Sequence, residues 1–346
     1  MNKQAIQQAA QQFAEGEPDI SLLGEGLIHK TYKVVFKNSA GPAIVLQCIN
    51  TNTFPHPENI LYNYRLIEKT LQDNNGFSIP SLIPTRLGKA SWTDAYNQTW
   101  RAISYVDNSC TVLIPASAEE AYAAARCFGL FTRQLSTTDP PALKIIIPGF
   151  HDLAYRYRQF EEAIARAGIE RLLKATHVIA ELRQRQSLVE FYNGLQNNPA
   201  FPLRVMHHDC KMSNVLLHPS TRQAICPIDL DTTQPGYFFS DLGDMIRSMA
   251  VTVDENSTRW EDIAVRAGYY DAIVKGYLEG MGDVLTKEEL THLHKAGLLL
   301  VFMQSLRFVT DFLNNDTYYQ TTYPEQNLNR ALNQLILLEK LEEFIQ

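Results

Sequence analysis

The sequence predicts an α+β protein in two unequal parts, a small strand-rich unit over residues 1–107 and a larger, mainly helical unit over 108–346. Three observations carry this. Short alternating apolar runs bounded by glycine, proline and asparagine gather before residue 107. After it, apolar residues three and four apart dominate, and one strand-like island, 203–231, interrupts them. A length of 346 residues with 45% hydrophobic content allows two domains or one bilobal fold around a packed core. It excludes a wholly disordered, collagen-like or coiled-coil chain.

Residues 1–15 read as a short helix. Thr31–Phe36 alternates, Lys37–Pro42 supplies turn residues and Ala43–Ile49 returns, which predicts antiparallel strands. Glu58–Leu71 places Ile60, Leu61, Tyr64, Ile67 and Leu71 at helical spacing, and two more strands are expected near Ile83–Leu87 and Trp100–Val106. Beyond Asp107-Asn108-Ser109, residues 118–136 carry Ala124, Cys127, Phe128, Phe131 and Leu135 on one helical face. Further helical stretches are expected at about 152–195, 257–280, 286–313 and 325–345. Thr286 and Glu289 form a T-x-x-E capping box, with Leu285 and Leu290 at the positions of a hydrophobic staple.

Charge and cysteine usage limit the partners. Lys and Arg total 31 against 38 Asp and Glu, a net charge of −7, which argues against nucleic acid held by bulk phosphate attraction but leaves room for a local basic pocket. The N-terminal stretch lacks the apolar core of a signal peptide, and the run GLLLVFM falls short of the roughly 20 residues of a membrane helix. No membrane partner is expected. The five cysteines are scattered without paired spacing and read as reduced thiols, so a cytoplasmic location is expected. The sequence leaves the oligomeric state open.

The chemistry gathers between 207 and 244. His207-x-Asp209-x-x-x-x-Asn214 is followed by apolar Val215–Leu217, the turn residues Pro219–Arg222, a returning strand over Ala224–Ile228 that Pro227 weakens, and then Asp229. Such a hairpin brings Asn214 and Asp229 to one mouth, where two hard oxygen ligands suit Mg²⁺ beside substrate phosphates. Asp209 would face the same point and accept a proton from an attacking hydroxyl, and Lys211 would place a positive charge near a transferring phosphoryl group. Base, metal ligands and cation are the parts that phosphoryl transfer requires. Upstream, Gly24 and Gly26 stand where a phosphate-covering loop would precede this cluster.

These motifs, together with LQCIN, IPGFHDLAYRYRQF, IDLDTTQPG, DLGDMIRS, LRFVTDFLNND and NLNRALNQ, span about residues 22–335. The chain resembles the aminoglycoside phosphotransferase/choline kinase family, and within it the N-acetylhexosamine 1-kinase branch. The resemblance implies a bilobal protein-kinase-like fold with ATP between the lobes and Mg²⁺ at the phosphates. It implies Asp209 as base, Asn214 and Asp229 as metal ligands, Asp241 as brace of the catalytic loop and Ser104-Tyr105-Val106 as the hinge beside adenine. The acceptor it implies is a small molecule, a sugar phosphorylated at its anomeric hydroxyl, with choline, an aminoglycoside or another amine as the alternative. Arg307 and Tyr318 match positions around the sugar. Leu27 and His29 differ from the branch's usual His and Asn. Gln47 occupies the place of the phosphate-binding lysine of typical kinases, as in the branch itself, and removes a cation that Lys211, Lys30 or an arginine would have to replace. A catalytically weak nucleotide-binding module is the reading that Gln47 prompts, and the complete Asp209, Asn214 and Asp229 set disfavours it.

Several residues carry a plainer reading. His207 reads as a prop of the loop rather than a second base. His207, His208 and Cys210 stand too close together to close a tetrahedral metal site. His292 and His294 read as surface residues. Asp231 is either a further metal ligand or a turn cap, and Arg247 either pairs with Asp244 one helical turn away or reaches the substrate.

Overall fold

The computed structural model describes residues 3–24, 28–37, 41–74 and 77–346. Helix α1 (Lys3–Gln11) leads into an antiparallel sheet of β1 (Glu17–Leu22), β2 (Lys30–Lys37), β3 (Ile44–Cys48), β4 (Leu82–Ile83), β5 (Trp92–Thr93) and β6 (Thr99–Ser104). The sheet order is β1-β2-β3-β6-β4, and β5 also pairs with β6. The alternation read from β2 is real: Tyr32, Val34 and Phe36 are buried on one face and pack with Leu46, Trp100 and the apolar side of α1. The resulting core belongs to the sheet and α1.

Helix α2 (Pro57–Asp73) behaves differently. Its Tyr64, Ile67 and Leu71 join the larger core of the helical part, and Asn63 ties it there, donating to the carbonyls of Lys144 (2.9 Å) and Thr233 (3.1 Å). A division of the chain at 107 therefore cuts across a core that α2 shares.

The helical lobe comprises α3 (Ala118–Gln134), α4 (Leu153–Arg166), α5 (Ile169–Gln184), α6 (Gln186–Leu195), α7 (Phe239–Met249), α8 (Ala267–Met281), α9 (Lys287–Thr291), α10 (Lys295–Leu313) and α11 (Gln326–Ile345). The expected stretch 152–195 is three helices, because Ala167 and Gly168 adopt extended backbone between α4 and α5, and Arg185 breaks the helical run before α6. The stretch from 257 starts late, since Trp260–Asp262 forms a 3-10 turn and Val265 bridges to Val251 before α8 begins. The capping box at Thr286 and Glu289 is present in both directions. Gly243 lets α7 lie directly on α10, because a Cβ there would overlap the Ala296 carbonyl.

Helix α10 is long and apolar enough to cross a membrane by length and composition, with mean hydropathy 1.4, but 78% of it is buried inside the lobe. It is the central core helix, and its apolar surface is already covered. Two small antiparallel pairs, β7 (Arg204–Met206) with β10 (Gln234–Gly236) and β8 (Val215–Leu217) with β9 (Ala224–Pro227), pack on the core of the helical lobe.

Candidate active site

The β8–β9 hairpin and the loop before it form the centre of the site. Val215 pairs with Pro227 at the end of the ladder, and the Asn214 carbonyl accepts the Ile228 N–H at 2.9 Å. Asn214 and Asp229 therefore leave the hairpin at the same mouth. Pro227 takes the last position of β9, where its missing N–H interrupts nothing beyond it.

Buried acceptors on α7 hold the preceding loop. Asp241 accepts the N–H groups of His207 (3.0 Å) and His208 (2.8 Å), and Asp244 accepts that of Cys210 at 2.7 Å. His207 accepts the Asp209 N–H at Nδ1 (3.3 Å), so its proton sits on Nε2 and is donated to the Ile228 carbonyl at 2.9 Å. It is a strut between loop and hairpin, the plainer of the readings its sequence position allows.

Within this frame one oxygen of Asp209 is anchored and one is not. Oδ2 accepts from Lys211 Nζ at 2.9 Å and from Asn214 Nδ2 at 2.8 Å, while Oδ1 accepts no hydrogen bond among the described residues. Burial opposes the Asp209 charge, but Lys211 and then Asn214 outweigh it and hold the carboxyl below the usual aspartate range. Burial likewise opposes the Lys211 charge, and Asp209 and Asp229 overcome it, keeping the ammonium protonated.

Asp229 is the outlier. Its backbone is left-handed, φ 61°, a conformation rare outside glycine. It is half-buried, and among the described residues its carboxylate accepts no hydrogen bond and joins no ion pair. Burial, then Asp231, then Asp209 push its pKa above the usual range. A crowded carboxylate with no donor of its own fits a hard divalent cation, which supplies the missing positive charge.

Asp231 has the opposite surroundings, and neither of its two expected roles describes it. It accepts both arms of the Arg101 guanidinium, at 2.6 and 2.8 Å, and the Nε2–H of His29 at 2.7 Å. His29 Nδ1 in turn accepts the Asn50 N–H at 3.0 Å, which fixes the tautomer. Burial opposes both charges of the pair, yet Arg101 holds the Asp231 carboxyl far below the usual range and Asp231 keeps Arg101 above its own. His29, Asp229 and Asp231 bring ligand atoms within 4.8 Å of one another, but two of the three already serve each other and Arg101.

Gln47 belongs to this same network. Its Oε1 accepts Arg101 Nε at 2.9 Å and its Nε2 donates to Thr31 Oγ1 at 3.2 Å, so both ends of the amide are engaged within the sheet. Arg101 stands opposite Gln47 on the neighbouring strand, with its guanidinium already committed to Gln47 and Asp231. Lys30, by contrast, is exposed. Sequence reasoning missed Arg101 and the role of His29; the available signal was a lone arginine in the otherwise apolar centre of TWRAIS.

At the expected hinge, the N–H groups of Ser104 and Tyr105 bond to the carbonyls of Ser81 and Ala43. The Val106 carbonyl accepts the Ser109 hydroxyl at 2.6 Å, and the Val106 N–H has no partner among the described residues. Gly24 follows β1 with φ +71° and open space at its Cβ position; Gly26 and Leu27 lie outside the described residues.

The other wall starts at His208. Its Nδ1 lies 2.6 Å from Ser240 Oγ, which also bonds His151, and Phe150 stacks on His151 with centroids 4.5 Å apart. Burial, then His208, Arg307 and Arg156, push the His151 pKa well below its ordinary value, so its ring is neutral. Arg247 pairs with Asp244 (2.8 Å) and Glu255 (2.7 Å), the ion-pair alternative for that residue. Arg307 lies 5.0 Å from the Phe150 ring and 6.0 Å from that of Tyr318, which is exposed. The structure thus brings Asp209, Lys211, Asn214 and Asp229 together; Arg307 and Tyr318 belong to a cluster that reaches His208 through Phe150 and His151, and Arg247 is held by Asp244 and Glu255.

Comparison with known proteins identifies the family and the fold. Residues 20–283 match the model of the phosphotransferase enzyme family. The fold is similar to a microcompartment-associated aminopropanol kinase, at 16% identity and TM-score 0.65 over 99% of this chain and 97% of that one. It is also similar to a spectinomycin phosphotransferase solved with ADP and spectinomycin, at 12% identity and TM-score 0.62 over 99% of each chain. An amicoumacin kinase solved with AMP-PNP and Ca²⁺ aligns at 13% identity and TM-score 0.62, over 98% of this chain and 94% of that one. With more than half its length matched and the kinase-like bilobal fold in place, the chain belongs to the phosphotransferase enzyme family.

Proposed function

We propose that the protein transfers the γ-phosphoryl group of ATP to a hydroxyl of a small polar acceptor, a sugar at its anomeric position. The observation that supports this best is the division of labour at the hairpin mouth. Asp209 is anchored through one oxygen with the other left open, and the unpaired Asp229 stands beside it. Asp209 Oδ1 would take the acceptor proton as the hydroxyl oxygen bonds to phosphorus, the bond to the ADP oxygen breaks, and the proton later passes to solvent. Lys211 would steady the ionised carboxylate and offset charge on the moving phosphoryl group. Asn214 and Asp229 would hold Mg²⁺, whose chemistry there is to neutralise the phosphate oxygens. The Val106 N–H would receive adenine, and Gly24 and Gly26 would let the loop backbone approach the phosphates.

The test is Asp209→Asn assayed with ATP and a panel of N-acetylglucosamine, N-acetylgalactosamine, galactose, glucose, choline and kanamycin. Turnover should fall roughly 10²–10⁴-fold while nucleotide binding persists. A variant with full turnover removes Asp209 from the role of base.

A further inference from the structure

Charge on the acceptor wall is not balanced. Arg156, on α4, gives its guanidinium to the Phe150 carbonyl (3.3 Å) and Gln159 (2.9 Å); Arg307, on α10, gives one nitrogen to Gln304 at 3.0 Å. Neither has a carboxylate within 4.0 Å among the described residues. Both are partly buried and meet at Phe150, Arg156 on its carbonyl and Arg307 over its ring, and burial and then Arg307 pull Arg156 down to about 10. The carboxylates nearby are already engaged, Glu255 with Arg247 and Asp311 with the N–H groups of Tyr318, Tyr319 and the Asn327 amide. Aromatic rings frame the pair, Phe150 and Tyr319 around Arg307 and Tyr155 beside Arg156. His151, which senses both arginines, connects this wall through Ser240 to His208, next to Asp209.

Two cations held close together in a partly dehydrated place carry a standing cost unless an anion completes them. Guanidinium forks match the geometry of carboxylate and phosphate oxygens. We infer that the acceptor carries an anionic oxygen group, seated between Arg156 and Arg307 while its hydroxyl meets Asp209. This rests on the proposed sugar-kinase reading and narrows its substrate class; it also sets an ammonium-bearing acceptor against two like charges.

The experiment compares matched acceptors at saturating ATP and fixed ionic strength: glucose with glucuronate, galactose with galacturonate, glucose with glucose 6-phosphate, and glycerol with glycerate, alongside choline. The anionic member of at least one pair should exceed its neutral partner at least tenfold in kcat/KM, carried by KM, and the carboxylate and phosphate arms distinguish which anion fits. Arg307→Gln should collapse that ratio, whereas Arg307→Lys should keep much of it. A thermal shift with the same compounds and AMP-PNP gives a readout independent of turnover. Preference for glycerate over every sugar sustains the anion and removes the sugar. Preference for neutral sugars or choline, an unchanged ratio in Arg307→Gln, or no turnover and no shift with any anion overturns the inference.

Discussion

Asp229 and Asp231 stand two residues apart on one turn and have opposite electrostatic surroundings. Asp231 is held by donors from two distant segments, His29 and Arg101, and its charge ties the sheet to the turn that follows the hairpin. Asp229 is crowded by like charge and has no donor among the described residues. The arginines repeat the contrast: Arg101 is buried and paired with Asp231, while Arg156 and Arg307 have no carboxylate partner among the described residues and repel. Where charges are matched inside the fold, they set geometry. Where they are left unmatched, we propose that the fold holds a place for a charge from outside, a cation at Asp229 and an anion between Arg156 and Arg307.

The largest effect should come from breaking a matched pair. Arg101→Met leaves Asp231 buried with only His29, and should cost about 3–5 kcal/mol in urea unfolding; a variant as stable as the parent would dissolve the distinction. Next is ligand linkage. Mg²⁺ with ADP at about 100 times their dissociation constant should add about 2.7 kcal/mol to the parent protein, and Asp229→Asn should lose most of that gain. In EDTA, the same Asp229→Asn should be more stable than the parent at neutral pH by about 1 kcal/mol or less, since it removes an unpaired charge. The smallest effect is expected at Arg307→Gln, within about 0.5 kcal/mol in thermal melts, because no ion pair is lost.

Acid dependence separates the two aspartates further. The Asp231 carboxyl is held below its unfolded value, so its stabilisation is complete above the usual aspartate range and fades only as pH falls beneath it. Asp229 is held above its unfolded value, so the folded state loses stability as pH rises through that range. Urea melts of the parent and Asp229→Asn between acid and neutral pH should diverge upward, with the variant ahead.

Legibility followed distance along the chain. The hairpin, His207-x-Asp209-x-x-x-x-Asn214 and the capping box at Thr286 are made by residues within a few positions of each other, and all three could be read from spacing. The brace from Asp241 required the resemblance, because 34 residues separate it from His207. Arg101 and Asp231 meet across 130 residues, and nothing local in either strand or turn announces the other. Gln47 shows the same limit: its partner Arg101 stands at the register position opposite it on the adjacent strand, a pairing that only the sheet brings about.

By itself, the sequence determined the periodicities that make a sheet followed by helices, and the local geometry that turns Asn214 and Asp229 toward one mouth. Those follow from backbone sterics and from which face of a strand or helix is apolar, properties that neighbouring residues settle among themselves. Tertiary structure decided which charges are matched and which are left open, because a carboxylate's partner depends on what the whole chain packs against it. Asp229 and Asp231 look alike in IDLDTT, and only the arrival of Arg101 and His29 beside one of them tells them apart.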